Sequence, residues 1–159
     1  MSVLQAFALV VIPDPCERVF VGGTLTMAGL RVKGTGSYRR ARSVLLAYPP
    51  SVLVTDIRRR RTKGLDLTRL GRSLIPHMTQ LVTSDSNDPE LRRDIEALGA
   101  AFLQTPVTES QLLAALYRTA FREPNADGTV GPAHPPLVRS KAKPRETSLF
   151  TSVSARPLS

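Results

Sequence analysis

One carboxylate and a run of arginines lie next to each other in the middle of the chain. Asp56 ends an apolar, β-branched segment, residues 51–55, of the kind that forms a short buried strand. Residues 58–61 are all arginine, and Gly64 closes the turn that follows. Because an unpaired charge at the end of a buried strand is costly, Asp56 is either a helix cap or part of a chemical site. The arginines are either a solvated loop or the counter-charge of that site.

Five apolar segments alternate with five helical segments, and the connections between them are short. We expect strands at residues 7–12, 30–33, 51–55, 79–83 and 100–104. We expect helices at residues 16–28, 37–48, 65–74 and 91–98, and a last helix that begins at residues 108–110. Such alternation with right-handed crossovers produces a parallel sheet covered by helices on both faces. In open sheets of this class, ligands bind at the carboxyl ends of the strands, where Asp56 is expected.

The apolar positions of these helices indicate which side chains can face the sheet. The apolar residues of the first helix are Val19, Phe20, Leu25 and Met27. The inner residues of the second and third helices are Ala41, Val44, Leu45, Tyr48, Leu67, Leu70 and Leu74, and the last helix carries Leu112, Leu113, Leu116 and Phe121. Cys16 lies near the start of the first helix, and we expect it to be a buried or half-buried packing residue.

Composition places one domain at residues 1–122 and a disordered tail at residues 123–159. Hydrophobic residues make up 42% of the 159, which is enough for a core. The tail is rich in proline and serine, is mildly basic and has few large apolar residues. The single cysteine excludes an internal disulfide and fits a cytoplasmic protein. No apolar run approaches the roughly 20 residues of a membrane span.

The net charge of +9 would suit nucleic acid, an anionic membrane or an acidic protein as a partner. Nucleic acid is disfavoured, because no aromatic residues that could stack on bases interleave with the arginines. An enzyme is also disfavoured. The segment Gly34-Thr35-Gly36 is too short for a phosphate loop, and His77 and His134 belong to no metal or nucleophile pattern.

Residues 4–121 resemble the receiver domains of two-component response regulators. Five markers in the expected order carry the resemblance. They are the segment VVIPDP, Gly29 at the end of the first helix, and the segments TDIRRRRTKGLDL, LVTSDSNDPEL and EALGAAFLQTPVTESQLLAAL. The resemblance implies a flavodoxin-like, doubly wound (βα)5 fold with a parallel five-stranded sheet in the order 2-1-3-4-5. It also implies signal transduction in a phosphorelay, with a histidine kinase, another receiver or an output protein as partner. A homodimer would use the fourth helix, the fifth strand and the fifth helix.

The resemblance also implies a role for particular residues. Asp56 corresponds to the aspartate that accepts the phosphoryl group, and Thr83 to the hydroxyl residue at the end of the fourth strand. Phe102 stands where receivers have a rotating aromatic residue. Thr105-Pro106 stands where they have Lys-Pro, often with a cis peptide bond.

Two departures from the receiver pattern affect the phosphoryl chemistry. The acidic pair that holds Mg²⁺ falls on Ile12 and Pro13, which have no side-chain oxygen. Asp14 is adjacent but is expected to cap the first helix. Thr105 replaces the lysine, so two of the groups that neutralise a transferring phosphoryl group are missing. No bound metal is expected, and Asp14 and Asp56 are the remaining candidate ligands.

These departures leave two interpretations of Asp56. In one, it still accepts a phosphoryl group from a histidine kinase, with Mg²⁺ or with Arg58 as a substitute cation. In the other, which we favour, an arginine ion pair or a hydrogen bond holds Asp56, and the chain is a stand-alone, atypical pseudo-receiver that acts by binding a protein. A basic protein associated with nucleic acid is the remaining alternative.

Overall fold

A computed structural model of the chain describes residues 7–58 and 63–121. Strands and helices alternate throughout: β1 Phe7–Val11, α1 Pro15–Met27, β2 Arg31–Thr35, α2 Tyr38–Ala47, β3 Val52–Ile57, α3 Lys63–Leu74, β4 Thr79–Ser84, α4 Pro89–Ala97, β5 Ala101–Gln104 and α5 Glu109–Ala120. The predictions for residues 59–61 of the arginine run and for the tail at 123–159 lie outside the described residues. So does the boundary predicted at residue 122.

The five strands form one parallel sheet in the order β2-β1-β3-β4-β5. This confirms the predicted flavodoxin-like fold, with β2 at one edge as its short alternating pattern indicates. The register of β3 on β4 pairs Asp56 with Thr83. The carboxylate and the hydroxyl that the sequence singles out therefore lie side by side at the carboxyl end of the sheet.

Alternate residues of the strands pack on opposite faces of the sheet. Ala8, Val10 and Ile12 belong to a buried cluster with residues of α1 and α5. Leu9 and Val11 belong to a second cluster, with residues of α2 and α3. A third cluster joins α4 to the sheet on the latter face. Because side chains alternate along a strand, this arrangement directs Asp56 of β3 toward the face covered by α1.

The predicted ends of β2 and β3 were both too early. β3 continues through Asp56 to Ile57, because these two residues pair with Thr83 and Ser84 of the neighbouring strand β4. Gly34 lies within β2 and pairs with Val10 of β1. Pairing with a neighbour extends a strand beyond its apolar segment, and sequence pattern alone does not detect this.

The predicted inner faces of α2, α3 and α5 were correct in the middle of each helix and wrong at the ends. Ala41, Leu45, Leu67, Leu112 and Leu116 are buried. In contrast, Tyr48 is 70% exposed, and Leu74 and Phe121 are also exposed. Tyr48 and Phe121 are the residues at which α2 and α5 end, so their side chains no longer follow the helical stripe.

The first helix differs most from the prediction. Its buried residues are Val21, Thr24 and Leu25. Val19, Phe20 and Met27 are exposed, and so is Cys16, which we expected to be at least half-buried. The helix α1 carries apolar residues on its outer side as well as its inner side. The apolar pattern therefore does not reveal which side faces the sheet. Within residues 7–58 and 63–121, no helix has the length and hydrophobicity needed to cross a membrane.

Candidate functional site

The side chain of Asp56 is fully buried at the carboxyl end of β3. The hydroxyl of Thr83, which is also fully buried, donates a hydrogen bond to Oδ1 of Asp56 over 3.1 Å. A buried carboxylate of this kind needs further compensation, because one neutral hydrogen bond does not replace the hydration of a charge.

Arg58 supplies that compensation. Its Nε donates to Oδ2 of Asp56 over 2.7 Å, and its Nη2 donates to Oε2 of Glu17 over 2.5 Å. The guanidinium thus bridges β3 to the first turn of α1. We call these three residues, Asp56, Arg58 and Glu17, the bridged triad. The planar fork of arginine suits such a bridge, because its donors point in fixed directions.

The bridged triad contains two acids and one base. Burial is the largest influence on the pKa of Asp56 and raises it above its ordinary value, although the hydrogen bonds from Arg58 and Thr83 partly oppose this. Burial, and then the negative charge of Asp56, raise the pKa of Glu17. Burial lowers the pKa of Arg58, but the two carboxylates more than offset this, and the net shift is upward. One guanidinium therefore compensates the two acids incompletely.

One oxygen of the bridged triad has no hydrogen-bond partner among the described residues. Oε1 of Glu17 is buried and unpaired, whereas Oε2 accepts from Arg58. The unpaired oxygen agrees with the raised pKa of Glu17, because a lone buried carboxylate oxygen favours the protonated acid.

The side chain of a second arginine, Arg18 of α1, contacts the loop after β1. Nη1 of Arg18 donates to the carbonyl oxygen of Ile12 over 2.6 Å and to that of Pro13 over 3.2 Å. Asp14, the adjacent acid, accepts from the backbone N–H of Glu17 over 2.9 Å and caps α1, as predicted. Arg18 also lies against Gly36, where an added Cβ would come within 2.8 Å of Nη1.

The backbone of Asp56 is fixed from the opposite face of the sheet. The hydroxyl of Tyr38 donates to the carbonyl oxygen of Asp56 over 2.8 Å. Gly64, in the first turn of α3, packs so closely that a Cβ there would lie 2.7 Å from the same oxygen. Tyr38 and Gly64 together hold the end of β3, so the position of the Asp56 carboxylate is fixed by its backbone as well as by Arg58.

Comparison with known proteins gives matches at the level of structure. No family model matches the sequence, and no curated protein matches it. A response regulator receiver protein from Pseudomonas putida is 28% identical, with a TM-score of 0.61, over 70% of this chain and 94% of that one. The chemotaxis protein CheY4 of Vibrio cholerae is 24% identical, with a TM-score of 0.64, over 72% of this chain and 98% of that one.

A response regulator from Thermotoga maritima is 20% identical, with a TM-score of 0.65, over 74% of this chain and 98% of that one. The similarity to these three proteins is one of fold. This chain has the receiver-domain fold. The similarity extends over nearly the whole length of these three proteins. The roles of the site residues in this chain have to be inferred from their own geometry.

The residues at the receiver fold's magnesium position do not fit that ion. Ile12 and Pro13 offer only backbone carbonyls, and Arg18 already donates to both. Asp56 and Glu17 each direct one oxygen at Arg58. In the part of the chain that the structure describes, no three acidic, histidine or cysteine residues are grouped as ligands. Mg²⁺ requires near-ideal octahedral oxygen coordination, whereas this position is occupied by guanidinium groups.

Two residues of the receiver pattern, Phe102 and Thr105, have no hydrogen bond or ion pair to the bridged triad in the part of the chain that the structure describes. Phe102 packs against the cluster beneath α4, and the guanidinium of Arg92 lies 5.6 Å from the centre of its ring. Thr105 donates its backbone N–H to the carbonyl of Ser84 over 2.9 Å, and the Thr105–Pro106 peptide bond is cis. The short neutral side chain of Thr105 cannot supply the positive charge that a lysine would bring to this edge of the sheet.

Sequence analysis did not identify three residues of the site. Glu17, Arg18 and Tyr38 all contact the end of β1 or β3. A signal for Glu17 was present, since an acidic residue in the first helical turn after β1 must lie near the carboxyl end of the sheet. For Tyr38, the signal was its place in the first turn of the helix after β2. Neither signal specifies a contact with the backbone or side chain of a particular residue.

Proposed function

We propose that this chain is an atypical receiver of two-component signalling that acts by binding a protein partner, with Asp56 impaired as a phosphoryl acceptor. The observation that supports this most strongly is the bridged triad, in which Arg58 holds Asp56 against Glu17. The partner would be a histidine kinase, another receiver or an output protein.

The chemistry of phosphoryl transfer explains why this arrangement disfavours it. An acceptor carboxylate attacks phosphorus with one oxygen, while cations neutralise the charge on the transferring oxygens. In this chain Oδ2 of Asp56 faces Arg58, and Oδ1 accepts from Thr83. Both oxygens are therefore engaged before any donor arrives. Thr105 offers no charge, so the electrostatic stabilisation that such a transfer needs would come from arginine alone.

An active acceptor is the second candidate, and one observation favours it. Arginine binds phosphoryl oxygens well, and Arg58 and Arg18 both lie at the carboxyl end of β1 and β3. If Arg58 turned away from Asp56 toward an incoming phosphoryl group, it could replace part of the missing charge. In this alternative the Arg58–Asp56 ion pair opens, so that the Nε–H that now donates to Oδ2 of Asp56 can turn toward the phosphoryl oxygens.

Incubation with acetyl phosphate and Mg²⁺, followed by intact mass measurement, distinguishes the two candidates. We expect the parent chain to gain no phosphoryl group, and Asp56→Asn to behave identically. A receiver that retains its acidic pair and lysine, treated in parallel, serves as the control that the donor is active. A phosphoryl adduct on the parent that is lost in Asp56→Asn would reject the impaired-acceptor proposal and support the second candidate.

A further inference from the structure

The surface formed by β2 and α2 is basic and lacks its own counter-charge. Residues 18–55 contain no aspartate or glutamate, whereas β2 and α2 carry exposed cations at Arg31, Lys33, Arg39, Arg40 and Arg42. None of these cations forms an ion pair with a residue that the structure describes. Exposed arginines elsewhere in the fold differ, since Arg69 pairs with Asp66 and Arg92 with Glu96. The positive charge of this surface is therefore available to an external anion.

Two open clefts flank α2, and Arg39 lines both of them. The cleft between α2 and α3 has a volume of about 510 Å³, and Arg42 and Lys63 also line it. The cleft between α2 and β2 has a volume of about 610 Å³, and Lys33 and Arg40 also line it. Both volumes lie within the range of roughly 300–1,000 Å³ that is typical of ligand sites. We call these two the α2 clefts.

The α2 clefts combine their cations with apolar side chains. Leu67 and Leu70 line the cleft between α2 and α3, and Leu9 and Val44 line the other. All four belong to, or pack against, the buried cluster between the sheet and these helices. Asp66 also lines the first cleft, but it is already paired with an arginine of its own helix. The clefts therefore suit a ligand in which negative charges alternate with apolar groups.

We infer that the α2 clefts bind an acidic segment of a partner protein, in which carboxylates alternate with apolar side chains. Carboxylates on either side of α2 would pair with Arg39, Arg42 and Lys33, and the apolar side chains would enter the clefts. Charge complementarity of this kind speeds association and selects among partners. The inference rests on the proposed function, in which this chain acts by binding a protein, and it names the chemistry of that partner.

Charge and shape together favour a protein segment over other occupants. The phosphates of a DNA duplex would use the cations but leave the apolar side chains of the clefts without a partner. Single-stranded nucleic acid stacks its bases on several aromatic residues, whereas Tyr38 is the only aromatic one among the described residues that line the clefts. An anionic membrane is too broad to enter the clefts and contact Leu9 or Leu67. A second copy of this chain carries a net charge of +9, which opposes its approach to a basic surface.

Fluorescence anisotropy with a labelled peptide, in which pairs of glutamates alternate with single leucines, tests the inference. We expect the full chain to bind this peptide in the micromolar range at about 0.15 M salt. The double variant Arg39→Gln with Arg42→Gln should raise the dissociation constant about tenfold or more. The matched control, Arg92→Gln with Arg118→Gln, removes the same charge beside β5, at the other edge of the sheet. It should change the constant by less than about twofold.

Further probes separate a protein segment from a generic anion. A peptide with serine in place of each leucine should bind the parent about tenfold more weakly, because it has nothing to place in the clefts. A short DNA duplex of equal charge should not displace the original peptide. In NMR spectra, the peptide should shift the amide signals of residues 33–44 and 63–70 and leave those of residues 92–119 unchanged.

Absence of binding to the acidic peptide would overturn the inference. So would equal weakening by the two double variants, or displacement of the peptide by the duplex. The variant Asp56→Asn should bind the peptide as the parent does, which separates this test from that of the acceptor. A phosphoryl adduct on Asp56 with peptide binding intact would reject the impaired-acceptor proposal alone, and lost peptide binding without an adduct would reject the α2 clefts alone.

Discussion

Replacing Arg58 with methionine is expected to lower the free energy of unfolding by about 1–3 kcal/mol at neutral pH. Removal of one partner from a buried ion pair costs roughly 3–5 kcal/mol, and the partial exposure of Arg58 reduces this through solvent screening. Methionine retains the packing of the arginine stem but none of its donors. Asp56 would be left fully buried with Thr83 as its partner, and Oε2 of Glu17 would lose its donor. Denaturant unfolding measured at neutral pH checks this value.

The loss caused by Arg58→Met is expected to depend on pH. Because the pKa values of Asp56 and Glu17 are raised in the folded chain, protonation of these acids stabilises the fold. Their contribution is complete below the unfolded pKa values of about 4 and is lost as the pH rises through the folded values. Without Arg58 both folded pKa values rise further. The difference in the free energy of unfolding between parent and variant should therefore be small in acid. It should reach its full size once the pH exceeds the folded pKa values of Asp56 and Glu17 in the variant.

Two control variants isolate the bridged triad from general charge effects. Arg69→Met removes an exposed arginine that lies 3.8 Å from Asp66, and we expect a loss below about 0.5 kcal/mol. Asp56→Asn keeps acceptor and donor groups for Arg58 and Thr83 while removing the buried charge, so its stability should depend less on pH than that of the parent. A loss in Arg58→Met that is equal in acid and at neutral pH would contradict the proposed compensation.

Gly64→Ala is expected to destabilise the fold by about 1–3 kcal/mol through overpacking. An added Cβ would lie 2.7 Å from the carbonyl oxygen of Asp56 and from Cγ1 of Ile57. A backbone oxygen fixed in the sheet cannot turn aside as the end of a flexible side chain can, so α3 must move away from β3. Thermal or denaturant unfolding of the variant measures the loss.

Gly23→Ala is the matched control for Gly64→Ala, because both glycines lie in helices and both variants gain helix propensity. The Cβ at Gly23 meets no atom within 4 Å, so the free energy of unfolding of the monomer should rise by up to about 1 kcal/mol. If Gly64→Ala were as stable as the parent, the close approach of α3 to Asp56 would not be a constraint on the fold in solution.

The fold could be predicted because the apolar runs of the strands and the apolar stripes of the helices indicate the same alternating order. Apolar runs such as residues 7–12 alternate with helical stripes, and short connections allow only a small set of parallel arrangements. The choice of Thr83 as a neighbour of Asp56 came from the receiver resemblance, and the register of β3 on β4 pairs the two residues.

The bridged triad could be predicted only in part. An arginine partner for Asp56 was expected, but the run at residues 58–61 offers four candidates. Which of them reaches Asp56 depends on the path of the chain after β3, and sequence pattern does not predict that path. Glu17 was not predicted, because its contact with Arg58 joins elements 41 residues apart. The exposure of Phe20 and Met27 was also missed, since α1 has apolar residues on both its inner and outer sides.

A titration with Mg²⁺, followed through the NMR signal of the Arg58 Nε–H, tests whether this guanidinium keeps a metal away from Asp56. The guanidinium of Arg58 occupies the place next to Asp56 that a metal would need. We expect a protected Nε–H signal that shifts when Asp56 is replaced by asparagine and is unchanged by millimolar Mg²⁺. Saturable loss or displacement of that signal by Mg²⁺, absent in Asp56→Asn, would show instead that the metal can displace Arg58.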